Sequence, residues 1–230
     1  NGVGGTWQLV DNLICSGQFR LVNGTFDANN KNVTCATFES SNTNTRTLTM
    51  GSGAWTLTGQ NDTWDITYAT NLTLNANTSL IKFTYSEFFD ITFKGGGLVY
   101  HDLWDASASN HNTIIKGSNT FNDFKANAGR QLQFETGSTT TISTLTLIGT
   151  SGNHISLTGQ GSTYTFIDVS GTNIVDYCNI SYSTATGGAT WNAINSFDGG
   201  NNTGWNFNPT IDPLIASYPF TNASTNDSSG

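Results

Sequence analysis

Charge is what this sequence most lacks. Only 10% of its 230 residues are Asp, Glu, Lys or Arg, against roughly 25% in an ordinary soluble domain. The eight basic residues stand singly between Arg20 and Arg130. A groove that tracks phosphates needs several cations on one face, which argues against nucleic-acid binding, as does the net charge of −8. No apolar run reaches the roughly 20 residues of a membrane span, so no membrane insertion is expected. A basic stretch followed by an apolar one is also missing at the start. The first residue is Asn, so the chain is expected to be a segment of a longer one or to have lost a leader.

Proline is absent from residues 1 to 208; Pro209, Pro213 and Pro219 all fall near the end. Proline removes a ladder donor, so a body without it fits continuous strand. The sequence predicts a body over 1–207, with 1–15 capping one end and 190–207 forming the closing rung. Residues 208–230 then form an extended, Ser/Thr/Asn-rich arm or linker. Cysteine is scarce and odd in number. Cys15 and Cys35, 20 residues apart, are read either as small buried hydrophobes or as a disulfide between neighbouring rungs. No Cys/His spacing suggests zinc.

What replaces charge is Asn, Thr, Ser and 25 Gly, with 36% hydrophobic and 12% aromatic residues, enough to bury a core. Short apolar/polar alternations recur every eight to ten residues, at 32–38, 46–50, 54–59, 71–76, 80–85, 112–117, 130–135, 154–159 and 163–169 among others, separated by Gly, Asn and Ser turns. No window carries a 3.6-residue apolar period, so no helix is expected. The spacing fits an all-β parallel β-helix with rungs of about 20 residues, or alternatively an antiparallel β-sandwich or jelly roll. Imperfect copies such as TLTMGSGAWTLTG and NLTLNANTSLIKFTY, and the rarity of Asn-Gly and Asp-Gly hairpin turns, favour the β-helix. Asn and Thr at equivalent places are expected to stack as ladders.

Three stretches, VTCATFESSNTNTRTLTMGSGAWTLTG (33–59), FKGGGLVYHDLWDASASNHNTIIKGSNTFNDFKA (93–126) and VDYCNISYSTATGGATWNAINSFDGGNNTGWNF (175–207), together resemble a family of right-handed parallel β-helix-like repeat proteins. These occur among tailed-phage structural proteins and large secreted bacterial surface proteins. The sequence departs from the pattern at His101, Trp104 and Cys35. The resemblance implies the scaffold, and with it a virion, extracellular or cell-surface location. Expected partners are other virion or surface proteins, host cell-surface glycans and further copies of the chain.

Few residues look catalytic. His101, His111 and His154 belong to no HExxH, and no GxSxG nucleophile turn accompanies them. Glycoside hydrolysis would need two facing carboxylates; the candidates are Asp62 with Asp65, Glu87 with Asp90, and Asp102 with Asp105. Residues three apart on a strand point to opposite sides, which counts against each pair. Asp62 and Asp65 flank Trp64, and Trp64 and Trp104 are the rings expected at the surface, where they would stack on sugars. The loop 198–202, with Asp198, Asn201 and Asn202, is read either as a calcium loop or as an Asx-stabilised turn. No other cofactor is expected. The leading expectation is a non-catalytic structural or adhesion component of a tailed phage, such as a fibre, tail or capsid-attached part. The alternatives are a bacterial cell-surface adhesin and a polysaccharide depolymerase on the same scaffold.

Overall fold

The computed structural model describes residues 2–108 and 111–209; most of the arm predicted over 208–230 lies outside them. Within them there is no helix, and every pairing between named strands is parallel. The strands stack as a β-helix of about nine turns, which rules out the antiparallel sandwich.

The first rung is Thr6–Gln8, Leu13–Ile14 and Gln18–Arg20; the second is Gly24–Asp27, Val33–Cys35 and Thr37–Glu39. Arg46–Thr49, Ala54–Leu57 and Asn61–Asp65 make the third, and Leu72–Asn75, Leu80–Phe83 and Ile91–Lys94 the fourth. In the middle, two strands per rung suffice: Asp102–Asp105 with Asn112–Lys116, Thr120–Ala126 with Gln131–Phe134, and Thr139–Leu147 with Ile155–Gly159. The eighth rung returns to three, Tyr164–Asp168, Thr172–Asp176 and Cys178–Ile180. Ser183–Gly187, Thr190–Ile194 and Phe197–Asp198 form the ninth, and Asn206–Phe207 adds to its edge. Rungs are less regular than the predicted 20 residues: in-register partners lie from 14 (Asn192 to Asn206) to 30 (Asn61 to Ile91) residues apart.

Thr120–Ala126 and Thr139–Leu147 turn a corner without leaving the ladder. In the first, Phe121 and Phe124 are both buried with two outward residues between them. In the second, Ile142 and Leu145 are buried around Ser143 and Thr144. Each long strand therefore serves two faces. The front half of Thr139–Leu147 pairs with Tyr164–Asp168, and just beyond its far end Ile148 bridges to Asp176 of Thr172–Asp176.

Inside, aromatic rings form one unbroken column. Centroid contacts of 4.4–6.2 Å lead from Phe19 through Phe38, Trp64, Phe93, Phe121, Phe124, Phe134 and Phe166 to Trp191 and Trp205. The buried indole N–H groups are satisfied: Trp55 donates to Met50 O, Trp64 to the Tyr100 hydroxyl, and Trp205 to Ser183 Oγ. At the corners the chain turns through left-handed backbone, and eight of the ten non-glycine residues there with positive φ are Asn, the side chain that tolerates this region best after glycine. The expected ladders are present: Asn12 Oδ1 accepts from Asn32 N–H, and Asn32 Oδ1 from Ala54 N–H, both at 2.9 Å. Gly187 (φ +100°) is obligatory, since a Cβ there would lie 1.9 Å from Asp168 O.

The first 15 residues supply two strands of the first rung, Thr6–Gln8 and Leu13–Ile14, with Val3, Val10 and Ile14 exposed. At the other end Trp191 and Trp205 close the column.

Arg46 points inward with Leu48 and is buried. Its guanidinium donates to Ser40 Oγ and O, Asn44 O, Tyr68 O and Thr70 O, clasping the turns of successive rungs with no carboxylate on it. Burial lowers its pKa, against the field of Glu39. Replacing Arg46 by Met would orphan several buried acceptors, and a loss of about 2–4 kcal/mol is expected in urea unfolding. Arg20→Met, at an exposed ion pair with Glu39, should cost under about 1 kcal/mol. Equal effects would refute the clasp.

Candidate functional site

The Asp62–Asp65 pair lies on the third face. The register of Asn61–Asp65 against Ile91–Lys94 slips between Thr92 and Phe93, so that Thr63 is an extra, bulged residue. The bulge brings both carboxylates to the same ammonium: Lys94 Nζ is 2.6 Å from Asp62 and 3.5 Å from Asp65. Burial pulls the Asp65 pKa upward, but the Thr67 N–H and hydroxyl, together with Lys94, outweigh it and hold the group below its usual value. A glycosidase acid needs the opposite shift. Lys94 is itself raised, its carboxylate partners outweighing burial. It heads a charge ladder on this face in which Arg20 aligns with Glu39, Glu39 with Asp65, Asp65 with Lys94 and Lys94 with Lys116.

Trp64 is not a surface ring. The slip in register turns it into the core, where it is fully buried against Phe38 and Phe93. Trp104 is half-buried on the second face, but Lys82 and Lys125 from the adjoining rungs cover its ring at 4.2 and 4.5 Å, and its N–H is donated to Asn127. Neither ring is free to stack on a sugar. Of the other acid pairs, Asp102 faces outward beside His101 at 3.0 Å while Asp105 is buried, and Asp90 accepts from Asn112. Their geometry sets these acids to holding the corners.

The loop at 198–202 does not present a calcium cage. Asp198 Oδ1 accepts from Gly200 N–H and from Asn202, and Asn202 Oδ1 is turned to Ser183 N–H. Asn201 is exposed, with φ at +58°. The Asx turn is the reading that fits. Among the described residues no group of three or more His, Cys, Asp or Glu is gathered to hold a metal.

The Cys15–Cys35 disulfide is likewise corrected: Cys15, Cys35 and Cys178 are free thiols. The register does bring the first two side by side, Cys15 N–H donating to Thr34 O. Burial, reinforced by the neighbouring Cys15 thiol, pushes Cys35 up to about 12. A thiol so firmly protonated is a poor nucleophile for exchange.

Sequence reasoning missed a buried polar cluster. Arg130 Nε meets Asp105 Oδ2 at 2.7 Å, with 2% of each side chain exposed. Thr113 donates to the same oxygen, and Arg130 also donates to His111 O and to Thr113 Oγ1. A guanidinium can only donate, so His111 Nδ1, 3.1 Å away, accepts. The ring proton then sits on the buried Nε2, with the Tyr85 backbone as its hydrogen-bonding neighbour. Burial first, then the Arg130 charge, lowers the His111 pKa from 6.5. Only the pairing of Asp105 with the distant Arg130 could have signalled the cluster, and one sequence does not display it.

Because His111 takes up a proton less readily folded than unfolded, its contribution to stability is whole above pH 6.5 and is lost as the pH falls below it. His111→Gln should flatten that acid limb in melting experiments between neutral pH and the carboxylate range. Asp105→Asn should cost about 3–5 kcal/mol by leaving the Arg130 charge alone. An unchanged acid limb in the His111 variant would refute this assignment. Comparison with known proteins supplies no identity for any of these sites: no family model, curated protein or solved structure matches the chain.

Proposed function

We propose that the chain is a non-catalytic structural and attachment component of a tailed-phage virion, a fibre, tail or capsid-attached part. What supports this most is the pairing of a stiff, continuously stacked rod with candidate acids, inside and outside, that are engaged by cations and amides. Asp62 and Asp65 share Lys94, Asp105 is locked to Arg130, and Asp90 holds Asn112. Such a rod holds distant points at a fixed spacing. Repeated copies would turn weak contacts with a host surface into firm attachment, since a second contact on a rigid frame is made at high effective concentration. Its partners on this reading are other virion proteins, further copies of itself and cell-surface glycans. The scaffold would serve a bacterial cell-surface adhesin equally well.

Mass spectrometry of purified phage particles and of washed host envelopes separates the two. Peptides of this chain are expected in particles at structural copy number. Recovery from envelopes alone would move the assignment to the adhesin. Release of reducing sugar from host capsule, abolished by Asp62→Asn, would overturn the non-catalytic reading altogether.

A further inference from the structure

The rings expected to meet sugars are unavailable, but another set of aromatics is gathered at the corner between the second and third faces near the C-terminal end. Three consecutive rungs contribute there. His154 immediately precedes Ile155–Gly159, Tyr177 precedes Cys178–Ile180, and Phe197 opens the last strand of its rung. Main-chain bonds fix the stack: Ile155 N–H donates to Tyr177 O, and Tyr177 N–H to Ile194 O. The His154 and Tyr177 rings are 5.6 Å apart at 22°, and Phe197, 62% exposed, lies 5.3 Å from His154. They border an open pocket of about 420 Å³, whose remaining walls come from Ser151, Asn195, Ser196 and Asn208.

The chemistry of this pocket is one-sided. It offers ring faces, hydroxyls and amides, and no Asp, Glu, Lys or Arg lines it. Aromatic faces suit the C–H side of a pyranose, and amides and hydroxyls suit its hydroxyl groups. An acidic polymer would find no Lys or Arg here and would meet the overall charge of −8.

The backbone supplies an independent sign. Tyr177 has φ +48°, in the left-handed region. One rung later, the adjoining corner position is Asn195, with the same φ of +48°. Asn is the usual solution among the described residues, and a bulky aromatic is strained in that region where Asn is tolerated. Asn would fit the backbone at this corner with less strain than Tyr. The ring it places beside His154 is what the substitution adds.

The geometry points to a subsite for a neutral saccharide, a hexopyranose or N-acetylhexosamine unit, on the rings of His154, Tyr177 and Phe197. This rests on the attachment reading for its biological sense, though the binding itself is a separate fact.

The test uses the full chain on an array of neutral hexose, N-acetylhexosamine and uronic-acid oligosaccharides, followed by calorimetric titration of the best neutral hit. Binding in the millimolar to high-micromolar range is expected, weakened roughly tenfold by Phe197→Ala, as loss of an aromatic platform implies. Tyr177→Asn should weaken binding comparably while leaving the melting temperature unchanged or higher, which a merely structural tyrosine would not do. Tyr68→Ala, an exposed ring elsewhere, should change nothing. Absence of binding to every neutral sugar, preference for uronic acids, or a hit indifferent to Phe197→Ala would overturn the subsite. None of those outcomes touches whether the chain is found in particles. Conversely, absence from particles would leave a measured sugar affinity standing.

Discussion

The structure depends on one constraint: each rung must place its inward side chains directly on those of the rung before. Parallel in-register pairing guarantees this, because the ladder bonds of one rung fix the position of the next. The reward is a column of rings whose members touch at 4.4–6.2 Å from Phe19 to Trp205, with area burial and edge or stacked ring contacts at every step. A residue at an inward position is therefore judged by two neighbours, above and below, and its own rung cannot compensate for a poor fit. That is why Arg46 can be tolerated inside only with its guanidinium fully clasped by carbonyls and Ser40.

Much of this was legible. Alternation of period two, the exclusion of proline from the body and the lack of helical period gave the all-β stack, and the Asn-rich composition gave the corner ladders. What stayed hidden came from breaks in phase. Phe121 and Phe124, three apart, resemble no strand, yet both point inward because the strand bends around a corner between them. One extra residue, Thr63, reverses the expected orientation of everything after it. It moved Trp64 from surface to core and put Asp62 and Asp65 on one side, contrary to simple alternation. A single-residue slip is a global event in a strand, and a sequence carries no mark of where a neighbouring rung forces it.

The few charges follow the same logic. With 10% charged residues, the chain has few ions to place, and register stacks several of them beside opposite charges. Glu39 and Asp65 align with Arg20 and Lys94 at rung spacing, and Arg130 reaches Asp105 across the interior. Register turns residues 19 to 32 apart into contact partners, so the pairing follows rung length and not local sequence.

Corners are where this scaffold has freedom. Inward positions are fixed by the column, and outward strand positions by their ladder neighbours. A corner residue must only accept a left-handed backbone, which Asn and Gly do with least strain. Among the described residues, Asn stands at eight such positions and Tyr at two, Tyr177 and Tyr182. At Tyr182 the main chain continues the ladder, its carbonyl accepting from Tyr164 and its N–H donating to Gly200, as any residue would. At Tyr177 the side chain also completes a ring cluster around an open pocket. The left-handed backbone is thus common to both tyrosines, and what sets Tyr177 apart is the ring it stacks on His154 at the rim of that pocket.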